Sequence, residues 1–324
     1  MKALALLTLL ALAGAGPLSA QSLRPAAQPP VFRSGASLVA LNVTVTSPDK
    51  RFVGGLDAED FAVYEDGIQQ DVQFFASGAV PIDLIVLIDT SSSMRHRMPF
   101  VHEAALGFMK TLRPGDRAAI VAFNDTVKVV QGLTGDHSLL EAAIRGTTAQ
   151  GGTALHTALY VALKQFGRGA RDSNDVRRQA LAVLSDGDDT ASLISFDDVL
   201  EVAHKSGVTV YPIALTSEQD PRSPSGARYF SQSQFAMRKL AQETGAQAFF
   251  PARVHELSAI YSAIAEELSY QYSIGYAPRN PRDDGRFRRI IVRVTTRPEL
   301  RPRARSGYIA TIKAAAADNT GEIR

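Results

Sequence analysis

The run Ile82-Asp83-Leu84-Ile85-Val86-Leu87-Ile88 constrains the fold most, because beyond Asp83 it is apolar at five consecutive positions instead of alternating ones. A strand that reads this way is buried on both faces, as in the middle of a parallel sheet covered by helices. It runs straight into Asp89-Thr90-Ser91-Ser92-Ser93, one carboxylate and two hydroxyls at D-x-S-x-S spacing. Open α/β sheets bind their ligands beyond the carboxyl ends of the strands. Three oxygen donors there suit a hard cation such as Mg2+.

The pattern around this run alternates. Apolar strands are expected at Ala118–Phe123, Ala180–Leu184, Val208–Ala214 and Ala246–Phe250. Amphipathic helices are expected over Val101–Leu112, Ala154–Phe166, Phe196–His204, Ser233–Glu243 and His255–Leu268. Such alternation predicts an α/β, Rossmann-like, doubly wound and mostly parallel sheet with helices on both faces. Before it, Val39, Leu41, Val43 and Val45 alternate with smaller or polar residues, and Phe61, Val63, Val72 and Phe74 suggest two more strands. After it, Tyr270–Tyr276, Phe287–Val294 and Gly307–Ile309 return to strand chemistry. A small sheet is marginal alone. The two flanks are therefore expected to pair into one discontinuous β-sandwich-like domain with the α/β domain inserted in it.

The boundaries expected are a signal peptide at 1–20, a flexible leader at 21–35, the first part of the β domain at 36–78, the α/β domain at 80–268, the second part of the β domain at 269–312 and a loose tail at 313–324. Met1-Lys2, the apolar run Ala3 to Ala15 and the small residues up to Ala20 have the layout of an export signal. That run is too short for a comfortable membrane span, and no later stretch reaches the roughly 18 apolar residues one needs. The expectation is an exported bacterial protein, periplasmic or secreted, with no transmembrane segment once the signal is cleaved. There is no cysteine, so no disulfide supports the fold and no acyl anchor can be attached to one.

Two further loops supply oxygen donors. Thr153 follows Gly151-Gly152 at the entry to the helix Ala154–Phe166, and Asp186 follows the strand Ala180–Leu184, held by Ser185 and Gly187. With these residues in view, the chain resembles a von Willebrand factor type A domain with a metal-ion-dependent adhesion site. In that family a D-x-S-x-S loop, a threonine on a second loop and an aspartate on a third surround one cation. Asp89, Ser91 and Ser93 match the first part, Thr153 in Gly-Gly-Thr-Ala-Leu the second, and Asp186 in Leu-Ser-Asp-Gly-Asp-Asp the third. The resemblance implies Mg2+ (or Mn2+) on Ser91, Ser93 and Thr153, with Asp89 and Asp186 binding directly or through water. An open coordination position would take a carboxylate from a protein or peptide partner, or from an acidic glycan. Where integrin-type domains carry further acidic residues, this chain has Met94-Arg95-His96-Arg97. That departure argues for one ion and puts positive charge on the ligand approach. The flanks, with Val63-Tyr64-Glu65-Asp66-Gly67 and Tyr272-Ser273-Ile274-Gly275-Tyr276, are similar to VWFA-related proteins of the Acidobacteria type and extend the resemblance to about residues 36 to 310.

The function expected is a non-enzymatic binding or adhesion module. The alternatives are a Mg2+-dependent phosphotransfer enzyme with Asp89 as acceptor, and a scaffold whose site holds no metal. Asp89 as acceptor would resemble haloacid-dehalogenase-like enzymes, but that family's pattern is D-x-D, and Ser91 stands where its second, acid-base aspartate would be. His102-Glu103 begins like a zinc-protease helix but is followed by Leu106, and no P-loop or G-x-S-x-G elbow occurs. The ten arginines between Arg279 and Arg305 are expected to form a solvated strand face and a charged edge that blocks sheet-to-sheet pairing. Nucleic acid is not expected as a partner, and the net charge of +2 names none.

Overall fold

The structure, a computed structural model, describes residues 38–78, 80–169, 177–186, 189–215 and 232–310. The expected signal peptide, leader and tail lie outside these residues. The described elements belong to one compact unit.

Its centre is a five-stranded sheet in the order β7-β6-β5-β8-β9. The strands are β5 (Ile82–Asp89), β6 (Arg117–Phe123), β7 (Val127–Thr134), β8 (Arg178–Ser185) and β9 (Thr209–Ala214). All pair in parallel except β7, which runs antiparallel at the edge. Every residue of β5 is buried. Leu84, Val86 and Ile88 face one helical layer, Ile85 and Leu87 the other. The first layer is α1 (Met98–Met109), α2 (His137–Arg145) and α6 (Leu257–Tyr270); the second is α3 (Leu155–Gly169), α4 (Phe196–Ser206) and α5 (Gln232–Thr244). The loop leaving β5 therefore turns to one face and the loop leaving β8 to the other. Between them opens the crevice that parallel sheets use for binding.

Local chemistry sets the helix starts. Pro99 lies in the first turn of α1, where its missing N–H costs nothing. Asp136 accepts from Ser138 N–H at 2.8 Å to start α2, and Ser195 and Asp198 form a capping box on α4.

The flanks form two four-stranded sheets, β12-β1-β10-β4 and β13-β11-β2-β3. Their strands are β1 (Val39–Thr46), β2 (Phe61–Glu65), β3 (Ile68–Gln70), β4 (Val72–Ser77), β10 (Tyr272–Tyr276), β11 (Phe287–Val294), β12 (Arg301–Arg303) and β13 (Gly307–Ile309). Each sheet mixes strands from both ends of the chain, with β1 beside β10 and β2 beside β11. The α/β domain is inserted in this sandwich. Val39, Leu41, Val43, Tyr272, Ile274 and Ile290 fill the space between the sheets.

Polar side chains fasten the two parts together. Arg178 donates to Val80 O at 2.9 Å and to Leu268 O at 2.6 Å, spanning the points where the chain enters and leaves the α/β domain. Burial brings its guanidinium down to about 10. Glu267 at the end of α6 accepts from Thr44 of β1 at 3.2 Å, from Tyr211 of β9 at 3.0 Å and from Arg303 of β12 at 2.5 Å. Gly245, at φ 82°, lets the turn after α5 lie against the backbone of Ala304 and Arg305; a Cβ there would stand 2.6 Å from Ala304 C.

Three expectations change. Ala246–Phe250 is not a strand, since only Phe249 makes a bridge, to Ile213. β7 and α2 fill a stretch for which no element is expected from the residue pattern. The arginine stretch is not one solvated face. Arg288 is buried against Asp284 at 2.9 Å and Arg303 reaches Glu267, while Arg282, Arg286, Arg289, Arg293, Arg297 and Arg301 are exposed as expected.

Candidate metal site at the carboxyl edge of the sheet

Asp89 ends β5 with no exposed surface. Its Oδ1 accepts from Ser91 N–H at 2.8 Å and its Oδ2 from the Ser185 hydroxyl at 2.6 Å. Burial pushes its carboxyl above the usual aspartate range, the Ser185 and Ser91 hydrogen bonds oppose the rise, and nearby Asp186 adds to it. The Ser185 hydroxyl, expected to support Asp186, holds Asp89; Gly187, the other expected support, lies outside the described residues, as does Asp188.

The Asp89–Ser93 loop closes on itself and on its neighbours. The Ser91 and Ser93 hydroxyl oxygens are 3.0 Å apart, and Ser93 donates to Asp186 Oδ1 at 2.8 Å. Gln150 N–H donates to Thr90 O at 2.7 Å and Ser92 N–H to Gly151 O at 3.0 Å, which binds the second loop to the first. Thr153 is joined to the third loop: its N–H donates to the Thr190 hydroxyl at 3.1 Å, and its carbonyl accepts from Thr190 N–H at 2.9 Å and Ala191 N–H at 3.1 Å. Asp125, in the β6–β7 turn, accepts from Gly152 N–H at 2.8 Å. Gly151 has φ 76°, a left-handed conformation that favours glycine, and a Cβ on it would also press on the Asp125 carboxylate, 2.2 Å from Oδ2.

Asp89, Ser91, Ser93 and Asp186 therefore stand in one hydrogen-bonded chain. Thr153 adjoins it through its backbone, and its hydroxyl bonds to no described residue. Asp189 is turned away, accepting from His156 N–H at 2.7 Å and Ser192 N–H at 2.9 Å at the start of α3. Among the described residues no three His, Cys, Asp or Glu side chains converge. From the described residues a cation here would meet hydroxyls and the two carboxylates of Asp89 and Asp186, an all-oxygen set that fits Mg2+ or Mn2+.

Two contributors, Asp125 and Thr190, escaped the sequence reading, and Ser185 and Arg97 take roles other than those expected. Ser185, Asp125 and Thr190 act through hydrogen bonds between distant loops, which single-chain spacing does not disclose. Arg97, expected only as a charge on the approach, makes a close ion pair with Asp186 Oδ2.

Residues 83–262 match the von Willebrand factor type A domain family, and the chain belongs to that family. A UPF0353 protein of Mycobacterium marinum is 24% identical over 235 residues, covering 65% of this chain and 67% of the relative. An uncharacterized protein of Borreliella burgdorferi is 23% identical over 208 residues, covering 59% of this chain and 56% of the relative. Among solved structures, a von Willebrand factor type A protein from Catenulispora acidiphila superposes with TM-score 0.49 at 17% identity, covering 74% of this chain. The chain spans about half of that structure, 52% of its length.

Proposed function

We propose that this chain is an exported, non-enzymatic binding module that grips a carboxylate of a protein or peptide partner through one Mg2+ (or Mn2+) ion. The observation that carries the reading is the hydrogen-bonded chain Asp89–Ser91–Ser93–Asp186 at the carboxyl edge of β5 and β8, with Thr153 beside it. Ser91, Ser93 and Thr153 supply neutral oxygens, while Asp89 and Asp186 balance the charge. A Mg2+ bound mainly by neutral ligands keeps an electrophilic open position for a partner's carboxylate oxygen. The charged start and apolar run within residues 1–20 support export. Among the described residues no helix is long and apolar enough to cross a membrane.

The phosphotransfer reading is disfavoured by Asp89 itself. Both its oxygens are engaged, by Ser91 N–H and Ser185, and the residue has no exposed surface from which to attack a phosphate. No second acid stands at Ser91 to serve as proton donor. Retention of the full chain on an immobilised glutamate-containing peptide tests the proposal. Retention is expected in Mg2+, and loss with EDTA or when glutamine replaces the glutamate. Retention indifferent to both would overturn it.

A further inference from the structure

Arg97 sits where the loop after β5 becomes α1. Its backbone is fixed: its N–H donates to Met94 O at 2.8 Å and its carbonyl accepts from Val101 N–H at 3.1 Å. Met98, the next residue, is buried in the helical layer. Only the side chain is free to swing. Its guanidinium pairs with Asp186 Oδ2 while the other oxygen of that carboxylate takes the Ser93 hydrogen bond. The Asp186 side chain is 2% exposed and the Arg97 side chain 31%. The carboxylate is thus inside the site, and the arginine reaches it from the solvent side, flanked by exposed Arg95 and His96.

An arginine in this position occupies the charge that a divalent ion would use. Both cations seek the same buried carboxylate, and at such separation in a partly desolvated site their mutual repulsion is strong. The guanidinium, tethered at the start of α1 and 31% exposed, can retreat outward to the solvent side. That side is also the direction from which a partner's carboxylate arrives, and a planar guanidinium matches a carboxylate with two parallel hydrogen bonds.

Resting on the proposed metal-dependent function, we infer that Arg97 is a tethered counter-cation of the site: it neutralises Asp186, yields it to a divalent cation, and then presents its guanidinium to the incoming carboxylate. The arginine lowers the affinity for the metal alone and raises the affinity of the metal-loaded protein for an acidic partner. Metal and ligand binding are thereby coupled through one side chain, and each favours the other by the same factor.

The test compares the full chain with Arg97→Gln and Arg97→Lys by calorimetry, first with Mg2+ alone and then, in saturating Mg2+, with a glutamate-containing peptide. Circular dichroism establishes that each variant is folded. Arg97→Gln is expected to bind Mg2+ about tenfold more tightly, the scale of one lost charged hydrogen bond, and the peptide more weakly. Arg97→Lys, which keeps the charge but not the fork, is expected to fall between on both counts. Mg2+ binding by Arg97→Gln where the wild type binds none supports the inference as well. Equal or weaker Mg2+ binding by Arg97→Gln, with the wild type binding normally, overturns the inference and leaves the metal site standing. No binding by any of the three overturns the metal site and the inference with it.

Discussion

The Ser93 hydroxyl donates to Asp186 Oδ1 at 2.8 Å, joining two residues 93 positions apart. The bond ties the loop after β5 to the loop after β8, so the two walls of the crevice hold each other at the point where the oxygen donors meet. Each wall is itself anchored from beneath, by Ser185 on Asp89 and by Thr190 on Thr153.

Ser185→Ala removes the hydroxyl that satisfies a fully buried carboxylate oxygen. Leaving such an acceptor without its donor costs about 1–3 kcal/mol. Urea denaturation in EDTA is expected to register that loss, and calorimetry a weaker Mg2+ affinity, since Asp89 is then free to turn. Unchanged stability would show that Ser185 does not support Asp89.

Gly151→Ala forces a side chain into a left-handed conformation and against Asp125, whose carboxylate already holds Gly152 N–H. The strain amounts to about 1–3 kcal/mol. Because the loop must shift to relieve it, Thr153 moves too, and Mg2+ affinity is expected to fall together with the thermal midpoint. A drop in midpoint with the affinity intact would separate the glycine from the site.

Much of this was legible because the apolar pattern is strong where burial is complete. Ile82–Ile88 announces a central strand, and Val39–Val45 alternates because one face of β1 meets the sandwich core. Asp89, Ser91, Ser93, Thr153 and Asp186 stand out as oxygen donors at strand ends and a helix entry, and the family resemblance is what groups them; the structure links Asp89, Ser91, Ser93 and Asp186 by hydrogen bonds. What lay hidden depends on exposure or on distant pairing. The strand β7 is half exposed, shows register shifts against β6, and contains Gly132, so it lacks clean alternation. The strand β12 contains Pro302, which is tolerated because the strand is at a sheet edge. Ala246–Phe250 looked like a strand from its composition but finds a partner only at Phe249. The Arg97–Asp186 pair connects residues 89 apart, and nothing in either neighbourhood names the other.

Glu267→Ala should loosen the join between the sandwich and the α/β domain. It leaves Arg303, Tyr211 and Thr44 without their common acceptor. Removing one member of a buried charged network costs about 3–5 kcal/mol, and with Arg303 partly exposed the lower figure is expected. Guanidinium denaturation followed by circular dichroism measures it. A change below about 1 kcal/mol would mean that the network contributes little.

Glu243 gives the join a pH dependence. Burial opposes its ionisation, but hydrogen bonds from Ser306 and His204 outweigh burial and hold its carboxyl below the ordinary 4.5. A carboxyl lowered by folding contributes stability above its unfolded value, and the contribution disappears as the pH falls through the folded value. The difference in thermal midpoint between wild type and Glu243→Gln is therefore expected to be widest at neutral pH, to shrink once the pH falls below the ordinary 4.5, and to close as the pH passes the lowered folded value. A difference independent of pH would assign the effect to packing instead of charge.

The central claim is that Asp89, Ser91, Ser93, Thr153 and Asp186 hold one divalent cation. Titrating Mg2+ into the full chain and into the Ser91→Ala, Thr153→Ala double variant by calorimetry tests it most directly. One-site binding is expected in the wild type and none in the variant, with both unfolding cooperatively at similar temperatures in EDTA. Equal binding heats from the two proteins, or none from the folded wild type, would contradict the claim.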